Sequence, residues 1–168
     1  MATYSGTGAV TNADFKSVTW TGKTKSGQSV VITLTNAINM GNIDWTFAEK
    51  DDTVAAVTFT ACYDNTDAMA STTTEPWSIS YTAGTGATAS GEIMLGAGVF
   101  AIGGTDVALT RGGGSFSVER EYRNINADGD RGPVKGRVVM EGSTATLTLN
   151  SLQILTRMDD LYGSISST

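Results

Sequence analysis

The sequence predicts a mainly β protein: a β-sandwich or partly closed barrel that carries one amphipathic helix at about residues 151–162. Three observations predict it. Short runs alternate apolar and polar side chains with a period of two, turn signals rich in Gly, Asn and Asp separate them, and only one segment spaces its apolar residues three apart.

Taken in chain order, "VTWTG" at 18–22 is a short strand candidate, followed by the turn signal "KSGQ". "SVVITLTNA" then places Val30, Ile32 and Leu34 on one face and Val31, Thr33 and Thr35 on the other. "NMGN" marks a second turn and "IDWTFA" at 43–48 another short strand. "TVAAVTFTACYD" sets Val57, Phe59, Ala61 and Tyr63 against Thr58, Thr60 and Cys62. "PWSISY" ends this half of the chain. Residues 82–92, "TAGTGATASGE", are small and polar without an apolar period, and read as a flexible linker.

The second half opens with "GVFAIGG". "SFSVEREYRNI" alternates Phe116, Val118, Arg120 and Tyr122 with Ser117, Glu119, Glu121 and Arg123, and "MEGST" reads as a turn before "TATLTLNSL". From Ser151 to Tyr162, Leu152, Leu155, Met158 and Leu161 stand three apart, with Gly163 as a stop, which predicts a helix covering the sheet. Halves 1–81 and 93–168 each hold too few strands to close a core alone, so one domain over 1–168 is expected.

Composition excludes more than it proposes. The 168 residues contain no histidine, which removes most zinc sites and the Ser/His/Asp and Cys/His pairs. Net charge is −6 with a pI near 4.5, the wrong sign for gripping nucleic-acid phosphates. The single Cys62 reads as a small packed thiol rather than a reactive one. No apolar run has the length of a membrane span and "MATYSGTGAV" lacks signal-peptide features, so a soluble chain made in the cytoplasm is expected, with no membrane partner.

Candidate chemistry is thin. Asn126, Asp128 and Asp130 alternate as calcium ligands do, but the twelfth loop position is Arg137 where a bidentate Glu belongs. "IGGTDVALTRGGGS" has glycines without the Lys and Ser/Thr of a phosphate loop. Adjacent carboxylates Asp51/Asp52 and Asp159/Asp160 diverge on strand or helix and read as solvated charge. Trp20, Trp45 and Trp77 fit a core better than a sugar platform. No catalytic residue, metal or cofactor is expected, and the chain is not read as an enzyme.

Two stretches carry a resemblance. "GTDVALTRGGGSFSVEREYRNINADGDRGPVKGRVVMEGSTATLTLNSLQIL" resembles the tail tube (major tail) proteins of long-tailed bacteriophages in its Gly-Gly entry, its Asp-Gly…Gly-Pro-Val-Lys-Gly loop and the strand that follows. "TKSGQSVVITLTNAINMGNIDWTFAEKDDTVAAVTFTACYDNTDAMASTTTEPWSI" is similar to the other half of the same proteins. Together they cover nearly all of the chain. Their order is reversed relative to the family, which reads as a circular permutation, engineered or natural: Met94 stands where an original start would fall, and "LYGSISST" would flow into "TYSGTGAV".

The resemblance implies a structural protein of the virion tail, assembling into hexameric rings that stack into a tube, with other tail proteins as partners and DNA passing through the lumen unbound. It marks Arg111, Asp128, Gly129, Arg131, Gly132, Pro133, Lys135 and Gly136 as assembly-interface candidates. A strand such as 115–123, apolar on one face and polar on the other, suits a wall between a core and a channel. A monomeric carbohydrate-binding or adhesin-like sandwich is the alternative.

Overall fold

Alternation of apolar and polar side chains builds ten strands among the described residues of a computed structural model, which covers 3–45, 52–64, 74–82, 94–107, 109–129, 131–152 and 154–167. In chain order they are β1 (Tyr4–Gly6), β2 (Lys16–Thr24), β3 (Ser29–Ile38), β4 (Ala55–Ala61), β5 (Trp77–Tyr81), β6 (Met94–Ile102), β7 (Thr105–Val107), β8 (Thr110–Asn124), β9 (Val138–Ser151) and β10 (Ile165–Ser167). The one α-helix, α1, is Met158–Leu161, and a 3-10 turn occupies Asn12–Asp14.

The main sheet runs β7-β6-β2-β3-β4-β9-β8, and β5 also pairs with β3. Strand β3 therefore serves two partners along one edge: Val30–Leu34 pair with β5, and Ala37 and Ile38 pair with β4. Asn36 lies between them with φ 50°, a left-handed conformation that Asn tolerates better than most residues. There Thr35 N–H still donates to Pro76 O at 2.8 Å, while Asn36 O accepts from Cys62 N–H at 3.2 Å. The bend divides the sheet into two layers, β7-β6-β2-β3-β5 and β4-β9-β8, with β3 as the corner. Strands β7 and β8, the ends of the path, are not paired with each other, so the sheet folds over without closing.

Between the layers lies one core built from both halves of the chain: Val18, Trp20, Ile32, Leu34, Val57 and Phe59 meet Phe100, Ile102, Val107, Leu147, Leu149 and Leu161. Two contacts set the spacing. The Trp20 indole lies flat over the backbone of Gly22 and Gly98, which are direct cross-strand partners, and a Cβ at either would collide with the ring. Gly114 of β8 likewise leaves room for the Phe100 ring of β6 and for the carbonyl of Thr148. Large aromatics thus replace absent side chains and cover backbone that would otherwise be wet.

Three expectations are corrected. The helix is confined to Met158–Leu161, because the β8–β9 ladder continues to Ser151 and Leu152 N–H donates to Leu109 O, holding the start of the expected helix in strand. "MEGST" is no turn: it lies inside β9, where the register shifts between Glu121 and Tyr122 as an irregularity of the β8–β9 ladder. Ile43, Asp44 and Trp45 are not in a strand, and the rest of "IDWTFA" lies outside the described residues. The linker expected at 82–92 also falls outside them apart from Thr82.

The terminal strands β1 and β10 form a separate antiparallel ribbon with Tyr4 opposite Ser167. Asp14 pins it. Its carboxylate accepts from Thr11 N–H at 2.6 Å, Thr11 Oγ1 at 3.1 Å and Ser164 N–H at 3.1 Å, and Ser164 O accepts from Thr7 N–H at 2.8 Å. These hydrogen bonds, led by the one from the Thr11 backbone, and the charge of Lys16 hold the Asp14 carboxyl below its ordinary value although partial burial opposes them.

Two outcomes are expected. Gly22→Ala should destabilise the fold by about 1–3 kcal/mol through overpacking against Trp20, whereas Gly96→Ala, with nothing within 4 Å of the new methyl, should stay within about 0.5 kcal/mol in a denaturant titration. Because the folded Asp14 carboxyl titrates below its unfolded value of about 3.9, its contribution is full above that pH and is lost as pH falls through the lowered value. The amide chemical shifts of Ser5, Gly6 and Ser166 should then move toward random-coil positions in acid, and those of an Asp14→Ala variant should already lie there at neutral pH.

Candidate assembly surface

Strands β8 and β9 are the longest in the molecule, and their pairing outruns the core. Inward side chains on β9 are buried at Leu149, Leu147 and Ala145, opposite Gly114, Phe116 and Val118. Beyond that point the ladder continues through Arg120↔Ser143, Glu121↔Gly142, Tyr122↔Met140, Arg123↔Val139 and Asn124↔Val138, with β8 exposed throughout. The two strands pair with each other there, and beyond Arg120 they outrun the core. The result is a two-stranded arm standing off the sandwich.

Its root is fixed on the inward face of both strands. The Trp77 ring packs on Phe116 with centroids 6.0 Å apart, and the Arg120 guanidinium lies 5.6 Å from the Trp77 centroid, close enough for a cation–π contact. The Ser143 hydroxyl donates to the Glu75 carboxylate, which also accepts from Tyr63 OH at 3.1 Å. Further out, Arg123 and Glu141 form an exposed ion pair across the strands, an interaction of small net value in water.

The arm carries a group of exposed apolar side chains. Tyr122, Ile125, Val138, Val139 and Met140 are between 41% and 57% exposed. Isolated two-stranded ribbons are marginal in water, so such a group on a ribbon gains most by meeting another surface. Sequence reading assigned Tyr122 to the apolar face of its strand but passed over the run "VVM" at 138–140, whose three consecutive apolar residues were the available signal.

Beyond the ribbon, residues 125–137 make the loop singled out in the sequence. Ile125 N–H donates to Arg137 O at 2.8 Å, and Arg137 N–H to Val134 O at 2.9 Å, closing a turn with Lys135 and Gly136 at its centre. Gly129, in the turn begun by Asp128, and Gly136 have φ of 94° and 85°, values that side chains other than Asn or Gly rarely accept. Asp128, Gly129, Arg131, Gly132, Pro133, Lys135 and Gly136 are all exposed on this loop, and Val134 alone is half-buried. Asn126 is exposed with them, and Asp130 lies outside the described residues. Arg111 is not among them: it sits near the opposite end of β8, 3.5 Å from Asp52 Oδ2.

Other candidates resolve into structure. Asp160 is bound by Lys16 at 2.5 Å and Arg157 at 3.1 Å, which ties α1 to β2. Cys62 is half-buried and burial pushes its thiol up, so little reactive thiolate forms near neutral pH. Trp20, Trp45 and Trp77 all pack against the core. No helix among the described residues is long and apolar enough to cross a membrane.

Comparison of the chain with protein-family models, curated proteins and solved structures gives no match.

An exposed loop with three cations is a protease target. Trypsin should cut the free protein first after Arg131 or Lys135, while the nicked chain keeps its far-UV spectrum and its unfolding midpoint, because the paired bodies of β8 and β9 lie on the other side of the cut. Early cleavage at Lys23 or Lys25 instead would show that the arm is protected.

Proposed function

We propose that this chain is a structural subunit that assembles with copies of itself into hexameric rings, stacked into a phage tail tube that conducts DNA. One observation carries the reading: the β8–β9 arm outruns the core and leaves five large apolar side chains exposed. Surfaces of that kind are stable in solution when another protein covers them. The resemblance of residues 98–155 and of the first half to tail tube proteins names the kind of assembly.

Sheet edges support it further. Among the described residues, strand β8 has a partner on one side only, as do β5 and β7. Unpaired edges invite strand addition, and a ring satisfies each edge by giving it to a neighbour. A carbohydrate-binding module draws no matching support, since the three Trp rings are used in packing. In the same reading the chain is a circular permutant of its family: β1 and β10 bring the two chain ends together as an antiparallel pair, the arrangement that permits such rearrangement.

Negative-stain electron microscopy with light scattering should show tubes or six-subunit rings. Combined Tyr122→Ser, Val138→Ser and Met140→Ser substitutions should raise the assembly concentration about tenfold or more, the equivalent of roughly 1.4 kcal/mol in total. Stability of the monomer should change by less than about 1 kcal/mol. Replacing Asp128, Arg131 and Lys135 together should also reduce tube yield without unfolding the subunit. A monomer at every concentration that binds glycans saturably would overturn the proposal.

A further inference from the structure

We infer that the space between the two layers is a binding site for a small, uncharged, apolar molecule about the size of two fused aromatic rings. The site stands apart from any assembly surface. It is a cavity of about 310 Å³ whose floor is the inward face of β2, β3 and β6, where Trp20, Val30, Ile32 and Phe100 are all buried. Its roof is Phe116 and Leu147, cross-strand partners in the facing layer. The mouth lies toward the end where β2 turns into β3, since Met94 on the rim pairs with Thr24, the last residue of β2.

Two observations show a space left unfilled by the chain's own packing. Ile79 is directly opposite Ile32, so both point to the same side of the sheet, yet Ile32 is 6% exposed and Ile79 53%. Met94, also on the lining, is 54% exposed. The second observation comes from two glycines of β6. A Cβ at Gly98 would collide with the Trp20 ring, so that glycine serves packing, whereas a Cβ at Gly96, which lines the cavity, would meet nothing within 4 Å. Gly98 is occupied space and Gly96 is open space.

The lining decides what fits. Among the described residues around the cavity none is charged, and the polar one, Ser115, alternates with inward Phe116 and so turns its hydroxyl to the other face of β8. A charged ligand would give up its water here with no partner in exchange. An apolar cavity of about 150 Å³ stays dry and takes a benzene, and the volume here is about twice that. The rings of Trp20, Phe100 and Phe116 offer faces and edges for an aromatic guest.

Titration with naphthalene, followed by methyl resonances, tests the assignment, with 2-naphthoate as the charged molecule of similar shape. The expected result is a saturable shift of the Ile32, Ile79, Met94 and Leu147 methyls by naphthalene, at least tenfold weaker binding of 2-naphthoate, and an unfolding midpoint that rises with naphthalene concentration. Gly96→Leu should grow into the cavity and weaken naphthalene binding at least tenfold in a chain that keeps its unfolding midpoint. Ile79→Ser, at an exposed position, should weaken it several-fold and decides the matter if the leucine variant does not fold. No saturation below the solubility limit, equal binding of the two probes, or shifts centred on Tyr122 and Met140 of the arm would each overturn the inference. Shifts of the cavity methyls with protein concentration alone would make a second copy the occupant and overturn it equally.

Discussion

Everything else in the molecule depends on aromatic rings lying on glycine backbone. Two β-layers pack about 10 Å apart when ordinary side chains interdigitate between them. Here Trp20 covers Gly22 and Gly98 within its own layer, and Phe100 reaches across to the backbone of β8 at Gly114. The glycines are needed because of the rings, and the rings because of the glycines. A tryptophan placed flat in this way seals a span of two strands with one side chain.

Closure at that point determines what is left over. Since β8 is pinned at Gly114 and Phe116, the residues after Val118 run past the last inward side chain of the opposing layer and have only each other to pair with. The arm is a consequence of strand length exceeding core length. Its rigidity comes from the root, where Trp77 with Phe116 and Arg120, and Glu75 and Tyr63 with Ser143, all hold the inward face. A hairpin anchored in this manner presents its apolar tip in one orientation, so docking it costs little conformational entropy.

Much of this was legible in the sequence. Period-two alternation gave the inward faces of β3, β4, β8 and β9 residue by residue, because burial on one side of a sheet imposes that period. The helix was misjudged in extent since Leu152, Leu155, Met158 and Leu161 satisfy a helical spacing, yet Ser151 is claimed by pairing with both Ala55 and Thr110. Long-range pairing overrode local pattern. The division of the sheet at Asn36 left no mark that a local rule could detect, because it depends on which partners, Pro76 and Cys62, arrive from elsewhere in the chain. Within the candidate surface, the loop residues Asp128, Gly129, Lys135 and Gly136 were marked through the resemblance of their motif. Its apolar residues were missed because burial, not composition, makes them unusual.

The order of the two halves is the remaining question, and the topology bears on it. Residues Tyr4 and Ser167 face each other across the β1–β10 ribbon, where directly paired Cα atoms are about 4.5–5.5 Å apart. A short turn would suffice to join them. At the other gap, β5 ends at Tyr81 opposite Val30 and β6 begins at Met94 opposite Thr24. In the layer order β6-β2-β3-β5 those ends are three strand spacings apart, roughly 14 Å, a distance that 83–93 spans with ample length at about 3.3 Å per extended residue. Both gaps are short relative to what can bridge them. Which one is covalently closed changes the sequence separation of contacts within the core but none of the contacts themselves. The fold is therefore indifferent to the order of its halves, and either order can reach the same sandwich and arm.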